Sequence, residues 1–201
     1  MQHISGNVAH TVDFMQGAIT IIFALALGEA LKMFVSGHDD TPMQWNRLPA
    51  LLAFLFVFFP FFQSMSQYLY LTYLNPATAL AFRPRYLVFD STMYILEAAC
   101  FYVMSRALAP HHWRHFYGAV LALMAIDIVW TGVTWRRGMP VGAWLYIDIA
   151  IVVILGGTML VARGKRWHER GRYMLPSWIL VAVLGVTTAL SYWLESGIYF
   201  P

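Results

Sequence analysis

The sequence predicts an all-α, polytopic membrane protein, a bundle of six transmembrane helices forming a single domain over residues 1–201. Three observations carry that expectation. Of the 201 residues, 60% are hydrophobic and only 11% charged, more apolar surface than a soluble chain of this length covers. The apolar residues gather into six runs, each near the roughly 20 residues that a spanning helix needs. The runs are continuous, as from Leu51 to Phe62. A closed barrel, the other way to satisfy backbone polar groups in lipid, requires short segments of alternating polarity instead.

Helix one is expected over about 14–35. Met1 to Asp13 holds no Lys or Arg, and the apolar run after it is too long for the core of a cleaved leader, so this helix is expected to stay in the protein. Ser36-Gly37-His38-Asp39-Asp40-Thr41-Pro42 breaks the pattern with turn residues. Helix two, about 49–74, starts with Pro49, where proline is harmless, and contains Pro60, which should free a backbone carbonyl and kink the helix. After Asn75-Pro76 and Arg83-Pro84-Arg85 comes helix three, about 87–108, ended by Ala109-Pro110-His111-His112. Helix four, about 114–135, stops at Arg136-Arg137-Gly138-Met139-Pro140, and helix five, about 141–162, at the basic Arg163 to Arg172 stretch. Helix six, about 174–195, has Pro176 near its start. Trp45, Trp113, Trp135, Trp144, Trp178 and Trp193 lie near predicted ends, as an interfacial belt requires.

Lys and Arg in short loops set orientation. Loops one, three and five with adjoining helix ends carry Lys32, Arg47, Arg106, Arg114, Arg163, Lys165, Arg166, Arg170 and Arg172, against Arg83, Arg85, Arg136 and Arg137 opposite. Both termini are therefore expected outside the cytoplasm. A net charge of +3 held in short loops suits anionic lipid headgroups better than a nucleic acid.

Acids within the spans stand out: Glu29 in helix one, Asp90 and Glu97 in helix three, Asp127 in helix four and Asp148 in helix five. No basic residue is expected at their depth. A charge at the bilayer centre costs about 2.5–3.5 kcal/mol even on lenient scales, so these side chains should face protein or a wet cavity. As a set they suggest a cation or proton path. Each alone is equally served by hydrogen bonding across helices, with Thr131, Thr134 and Tyr146 at hand. Gln63 and Gln67, four apart beside Ser64 and Ser66, make a polar stripe that suits a vestibule or interhelical adhesion. Gly156-Gly157 points to close helix packing, and His111, His112, Arg114 and His115 to a solvated loop.

Several chemistries are disfavoured. All seven histidines fall outside the apolar runs, which argues against an intramembrane haem, and no mid-membrane lysine exists for a retinal Schiff base. The single Cys100 excludes an intrachain disulfide and the paired-cysteine zinc spacings. His-Glu-x-x-His and Gly-x-Ser-x-Gly are missing. An aspartyl dyad of Asp127 and Asp148 lacks an accompanying Gly-x-Gly-Asp. No catalytic residue, metal ligand set or cofactor is expected, and the chain is not read as an enzyme.

The run Phe14-Met15-Gln16-Gly17-Ala18-Ile19-Thr20-Ile21-Ile22 leading to Glu29, with His10 ahead of it, and the run Leu48-Pro49-Ala50-Leu51-Leu52-Ala53-Phe54-Leu55 resemble helices one and two of the six-helix potassium channels, bacterial and endo-lysosomal. The likeness covers roughly a quarter of the chain. Where that family has Arg and Ser-Asp, this chain has His10 and Met15-Gln16, and Gln63 and Gln67 fall near the place of its usual histidine pair. The resemblance implies a homo-oligomer, with a tetramer favoured, whose helix one lines a central pore for a monovalent cation. Thr20, Ile21, Leu25 and Gly28 would then face the pore, with Thr11 as a further polar contact and Ile21 and Leu25 as an apolar ring that gates by dewetting. That family keeps its termini in the cytoplasm, opposite to the charge count here.

The leading expectation is thus a cation-conducting channel in a lipid bilayer, in a bacterial inner membrane. The alternatives are a proton-coupled secondary transporter using Glu97, Asp127 and Asp148, and a membrane sensor or scaffold that transports nothing and works through an unknown regulatory partner.

Overall fold

The computed structural model describes residues 6–35, 43–75, 84–108, 113–139, 141–163 and 174–194, and within them finds helices and short turns but no strand. The helices are α1 (Gly6–Val35), α2 (Leu48–Leu69), α3 (Pro84–Arg106), α4 (Trp113–Arg136), α5 (Gly142–Arg163) and α6 (Met174–Leu194). In α1 to α5 the described residues are long and apolar enough to cross a membrane, and in α6 Trp178–Leu194 forms a shorter apolar stretch. The chain is a helical multi-pass membrane protein.

Successive helices alternate in direction. End I is where α1, α3 and α5 begin, and end II is where they finish. Around the bundle, α1 packs on α3, α3 on α4, α4 on α5, α5 on α6, α6 on α2, and α2 back on α1, so the six close a ring. Lipid is as apolar as a leucine side chain, so burial alone does not hold such helices together, and shape and polar contacts must do so. Toward end II the shape is aromatic: Phe23 of α1 lies 5.2 Å from Phe58 of α2 and 5.0 Å from Phe101 of α3, centroid to centroid, with tilted rings. At the same end the Arg47 guanidinium donates to the Met33 carbonyl in the last turn of α1, and Phe34 meets Trp45 edge to face.

Proline 60 sits inside α2, which continues through it. Having no N–H, it leaves the carbonyl of Phe56, one turn earlier, without its helical donor. The hydroxyl of Thr188 on α6 supplies that donor at 2.7 Å. Gly185, one turn before Thr188, lies against the Phe56 ring, and a Cβ there would make an ordinary contact with it at 3.5 Å. Beyond Leu69 the chain makes one wide π turn over Tyr70–Leu74, closed by a 2.8 Å bond from the Asn75 amide to the Tyr70 carbonyl.

At end I, α4 finishes in a Schellman turn. The amide of Gly138 donates to the Trp135 carbonyl at 2.9 Å and that of Met139 to the Thr134 carbonyl at 3.4 Å, while Gly138 takes a φ of 91°. Only glycine adopts that angle without steric cost.

Four expectations need correction. Asp90 has a basic partner, Arg137, and Glu29 has two, Lys32 at 3.7 Å and Arg106 at 3.6 Å. All three basic residues lie at or just past helix ends, from which long side chains can reach acids further along the bundle. Trp144 is 6% exposed and belongs to the interior, whereas Trp45, Trp135, Trp178 and Trp193 are exposed as an interfacial belt requires. A Cβ on Gly156 or Gly157 would meet nothing within 4 Å, so neither mediates close packing among the described residues. Gln63 proves adhesive, accepting a 2.9 Å bond from Tyr192 of α6. His111 and His112 lie outside the described residues.

Candidate functional site: an acidic cavity with aromatic walls

Five of the six helices turn a face onto one interior cavity, and α1 takes no part. The contributing residues follow helical spacing: Phe56, Pro60 and Ser64 on α2, Tyr94 and Glu97 on α3, Asp127 and Trp130 on α4, Trp144, Asp148 and Ile151 on α5, and Leu184, Thr188 and Ser191 on α6. The space open to the centre of a water molecule is about 60 Å³. At about 10–15 Å³ for each centre, that is room for about four to six waters.

Three carboxylic side chains from three helices line it. Glu97 is 2% exposed, Asp148 4% and Asp127 8%, and no Lys, Arg or His is among the described residues of the wall. Asp127 accepts a 3.4 Å bond from the Thr131 hydroxyl. Asp148 faces the same cavity from α5. Two buried carboxyl groups that share one space favour holding a proton between them over both being ionised. Glu97 Oε1 and the Tyr94 hydroxyl are buried with no hydrogen-bond partner among the described residues. Leaving such groups bare is costly, the more so in a low-dielectric interior. Among the described residues no three His, Cys, Asp or Glu side chains come close enough together to hold a metal ion.

Every one of these acids has an aromatic ring one helical turn away on its own helix: Tyr94 before Glu97, Trp130 after Asp127 and Trp144 before Asp148. The three aromatics also meet one another, Trp130 lying 5.6 Å from Tyr94 and 6.2 Å from Trp144 between ring centroids.

Toward end I lies a second polar cluster, centred on Asp90. Glu97 lies seven residues further along α3, about 10 Å at 1.5 Å per residue. Asp90 is fully buried and accepts from Tyr73 at 2.6 Å, Tyr68 at 3.2 Å, Trp130 Nε1 at 3.2 Å and Arg137 Nη1 at 2.9 Å. The Arg137 guanidinium also stacks over the Tyr86 ring at 4.2 Å. Burial lowers the Arg137 pKa and the Asp90 carboxylate raises it, and the second effect prevails. Trp130 belongs to both sites, its ring on the cavity and its N–H on Asp90.

Of the residues singled out in the sequence, Glu97, Asp127 and Asp148 come together at the cavity, and Glu29 stays apart at end II. Thr20, Ile21, Leu25 and Gly28 lie on the outward face of α1, with Ile21 63% and Leu25 61% exposed. The Thr20 hydroxyl bonds the Gln16 carbonyl of its own helix at 2.8 Å. Sequence reasoning missed Tyr68, Tyr73, Tyr94, Trp130, Trp144 and Arg137. The one-turn pairing of each acid with an aromatic was a legible signal for three of them; the reach of Arg137 was not.

No protein-family model, curated protein or solved structure matches this chain.

Proposed function

We propose that the protein is a proton-coupled secondary transporter that binds its cationic solute and its proton at the cavity between α2 and α6. One observation carries this reading: Glu97, Asp127 and Asp148 converge from three helices on one interior space with no cationic side chain in its described wall. Carboxyls in such a site hold a proton when it is empty and give it up when a cation enters, because two positive charges compete for the same oxygens. Asp127 and Asp148, which line the same cavity from adjacent helices, are the natural seat of that proton. The flanking structures suit alternate opening, with the Asp90–Arg137 cluster toward end I and the Phe23–Phe58–Phe101 cluster toward end II. Orientation follows the loop charges, which put end II on the cytoplasmic side of a bacterial inner membrane.

Proteoliposomes with an imposed pH gradient and an internal pH-sensitive dye test the proposal. A transported cation is expected to discharge the gradient, saturably, and Glu97→Gln and Asp127→Asn to abolish the coupling. Non-saturating conduction that survives Asp127→Asn would overturn it.

The second reading is a cation channel, potassium-conducting by its resemblance, with α1 at the axis of an oligomer. It takes support from Thr20, Ile21, Leu25 and Gly28 all lying on an uncovered face, where a pore between copies needs them. The acidic cavity has no part in that mechanism, which is why the transporter reading is preferred.

A further inference from the structure

We propose that the cavity's ligand is a small protonated amine: a primary ammonium group carrying an apolar tail of a few carbons. The assignment rests on reading the cavity as the transport site, and four features of its wall support it. Charge comes first. Three acids and no described cationic side chain select a cation and reject anions.

The acids also do not converge as a metal's ligands, for no three such side chains among the described residues gather closely enough. Carboxylates spread along a cavity of about 60 Å³ suit a molecular cation, whose charge and bulk occupy different places, better than a bare metal ion, which needs its donors within one coordination shell. The room for about four to six waters suits a handful of heavy atoms.

Third, each acid is paired with an aromatic one turn away, Tyr94 with Glu97, Trp130 with Asp127 and Trp144 with Asp148. A carboxylate beside an aromatic face is the environment in which an alkylammonium is held, since the ring quadrupole attracts the cation while the ring also packs the tail. An alkali ion would lose hydration to such walls and gain too few oxygens.

The fourth feature separates a protonated amine from a quaternary ammonium. Glu97 Oε1 is buried and accepts no hydrogen bond from the described residues. An ammonium N–H supplies that donor, and a quaternary nitrogen has none to offer. As the ammonium enters, a proton shared by the carboxyls leaves to solvent, so the charge in the cavity stays constant.

The test is calorimetric titration of the purified full chain in nanodiscs. Butylammonium chloride is the probe, with butanol, tetramethylammonium chloride and potassium chloride as comparisons. Butylammonium is expected to bind saturably and at least tenfold tighter than each comparison. Repeating the titration in buffers of different ionisation enthalpy should reveal about one proton released per ammonium bound, as exchange at a shared carboxyl proton requires. Glu97→Gln, nearly isosteric, should weaken binding at least tenfold, and Trp144→Leu should weaken it while Trp144→Phe, which keeps a ring, retains it.

Equal binding of butanol or potassium, or binding indifferent to both Glu97→Gln and Trp144→Leu, would overturn the assignment. Tetramethylammonium binding as tightly as butylammonium would overturn the role given to Glu97 Oε1. If butylammonium fails to bind while proteoliposomes still exchange another cation for protons, the ligand class falls and the transporter reading stands. Butylammonium binding without proton-coupled flux leaves the ligand class standing and removes the transporter.

Discussion

The hydroxyl of Thr188 donates at 2.7 Å to the carbonyl of Phe56, the same carbonyl that Pro60 deprives of its helical donor. One helix thereby repairs the backbone of another within the bilayer, where no water does so. Thr188→Val keeps the shape and removes the donor. It is expected to lower stability by about 0.6–1.7 kcal/mol, the range of interhelical hydrogen bonds in membranes. Thermal unfolding in detergent checks this, and an unchanged midpoint would show that lipid or detergent leaves the carbonyl no worse off.

Arg137 and Asp90 form a buried ion pair that a single substitution leaves half made. Removing one partner of such a pair costs about 3–5 kcal/mol, since the remaining charge stays buried. Arg137→Ala and Asp90→Asn should therefore both lower the unfolding midpoint sharply, while Arg136→Ala, at an exposed neighbour, should leave it in place. Equal effects of Arg136→Ala and Arg137→Ala would remove the structural role assigned to the pair.

Gly138, the residue after that arginine, takes a left-handed backbone angle that ends α4. A Cβ there meets no neighbouring atom within 4 Å, so Gly138→Ala isolates the cost of the angle, about 1–2 kcal/mol. The variant should be less stable than wild type but far more so than Arg137→Ala. Comparison of the three midpoints decides it.

For Glu97 the expected direction is the opposite. Its Oε1 is buried without a partner among the described residues, an arrangement that costs stability and persists where function needs it. Glu97→Gln is expected to match or exceed the wild-type unfolding midpoint while losing proton-coupled uptake. A drop as large as that of Asp90→Asn would mark Glu97 as a structural acid instead.

Orientation is checked by cysteine labelling. Cys100 is the chain's single cysteine and is partly buried in α3, so Cys100→Ser clears the background. In intact cells a membrane-impermeant maleimide should then label Arg136→Cys at end I and not Lys32→Cys at end II, as the loop charges require. The reverse pattern would place both termini in the cytoplasm.

The sequence by itself determined the helical membrane class and its six helices, because hydropathy is a local property and bilayer thickness is a fixed ruler; α1 nevertheless starts at Gly6, ahead of its apolar run. It also pointed to Glu97, Asp127 and Asp148, since an acid in an apolar run is conspicuous wherever it lands. Pairing was decided only in three dimensions. Arg137 sits 47 residues from Asp90 and outside α4, and a hydropathy count carries no sign of which distant acid it meets. Trp144 reads as an interfacial residue by its distance from a helix end, yet it faces inward because α5 turns that side to α4. Ile21 and Leu25 read as pore residues by likeness, and only the ring of helices shows that the chain itself leaves them uncovered. Which face of an apolar helix is buried depends on neighbours far along the chain, and a helix apolar all round carries little sign of its choice.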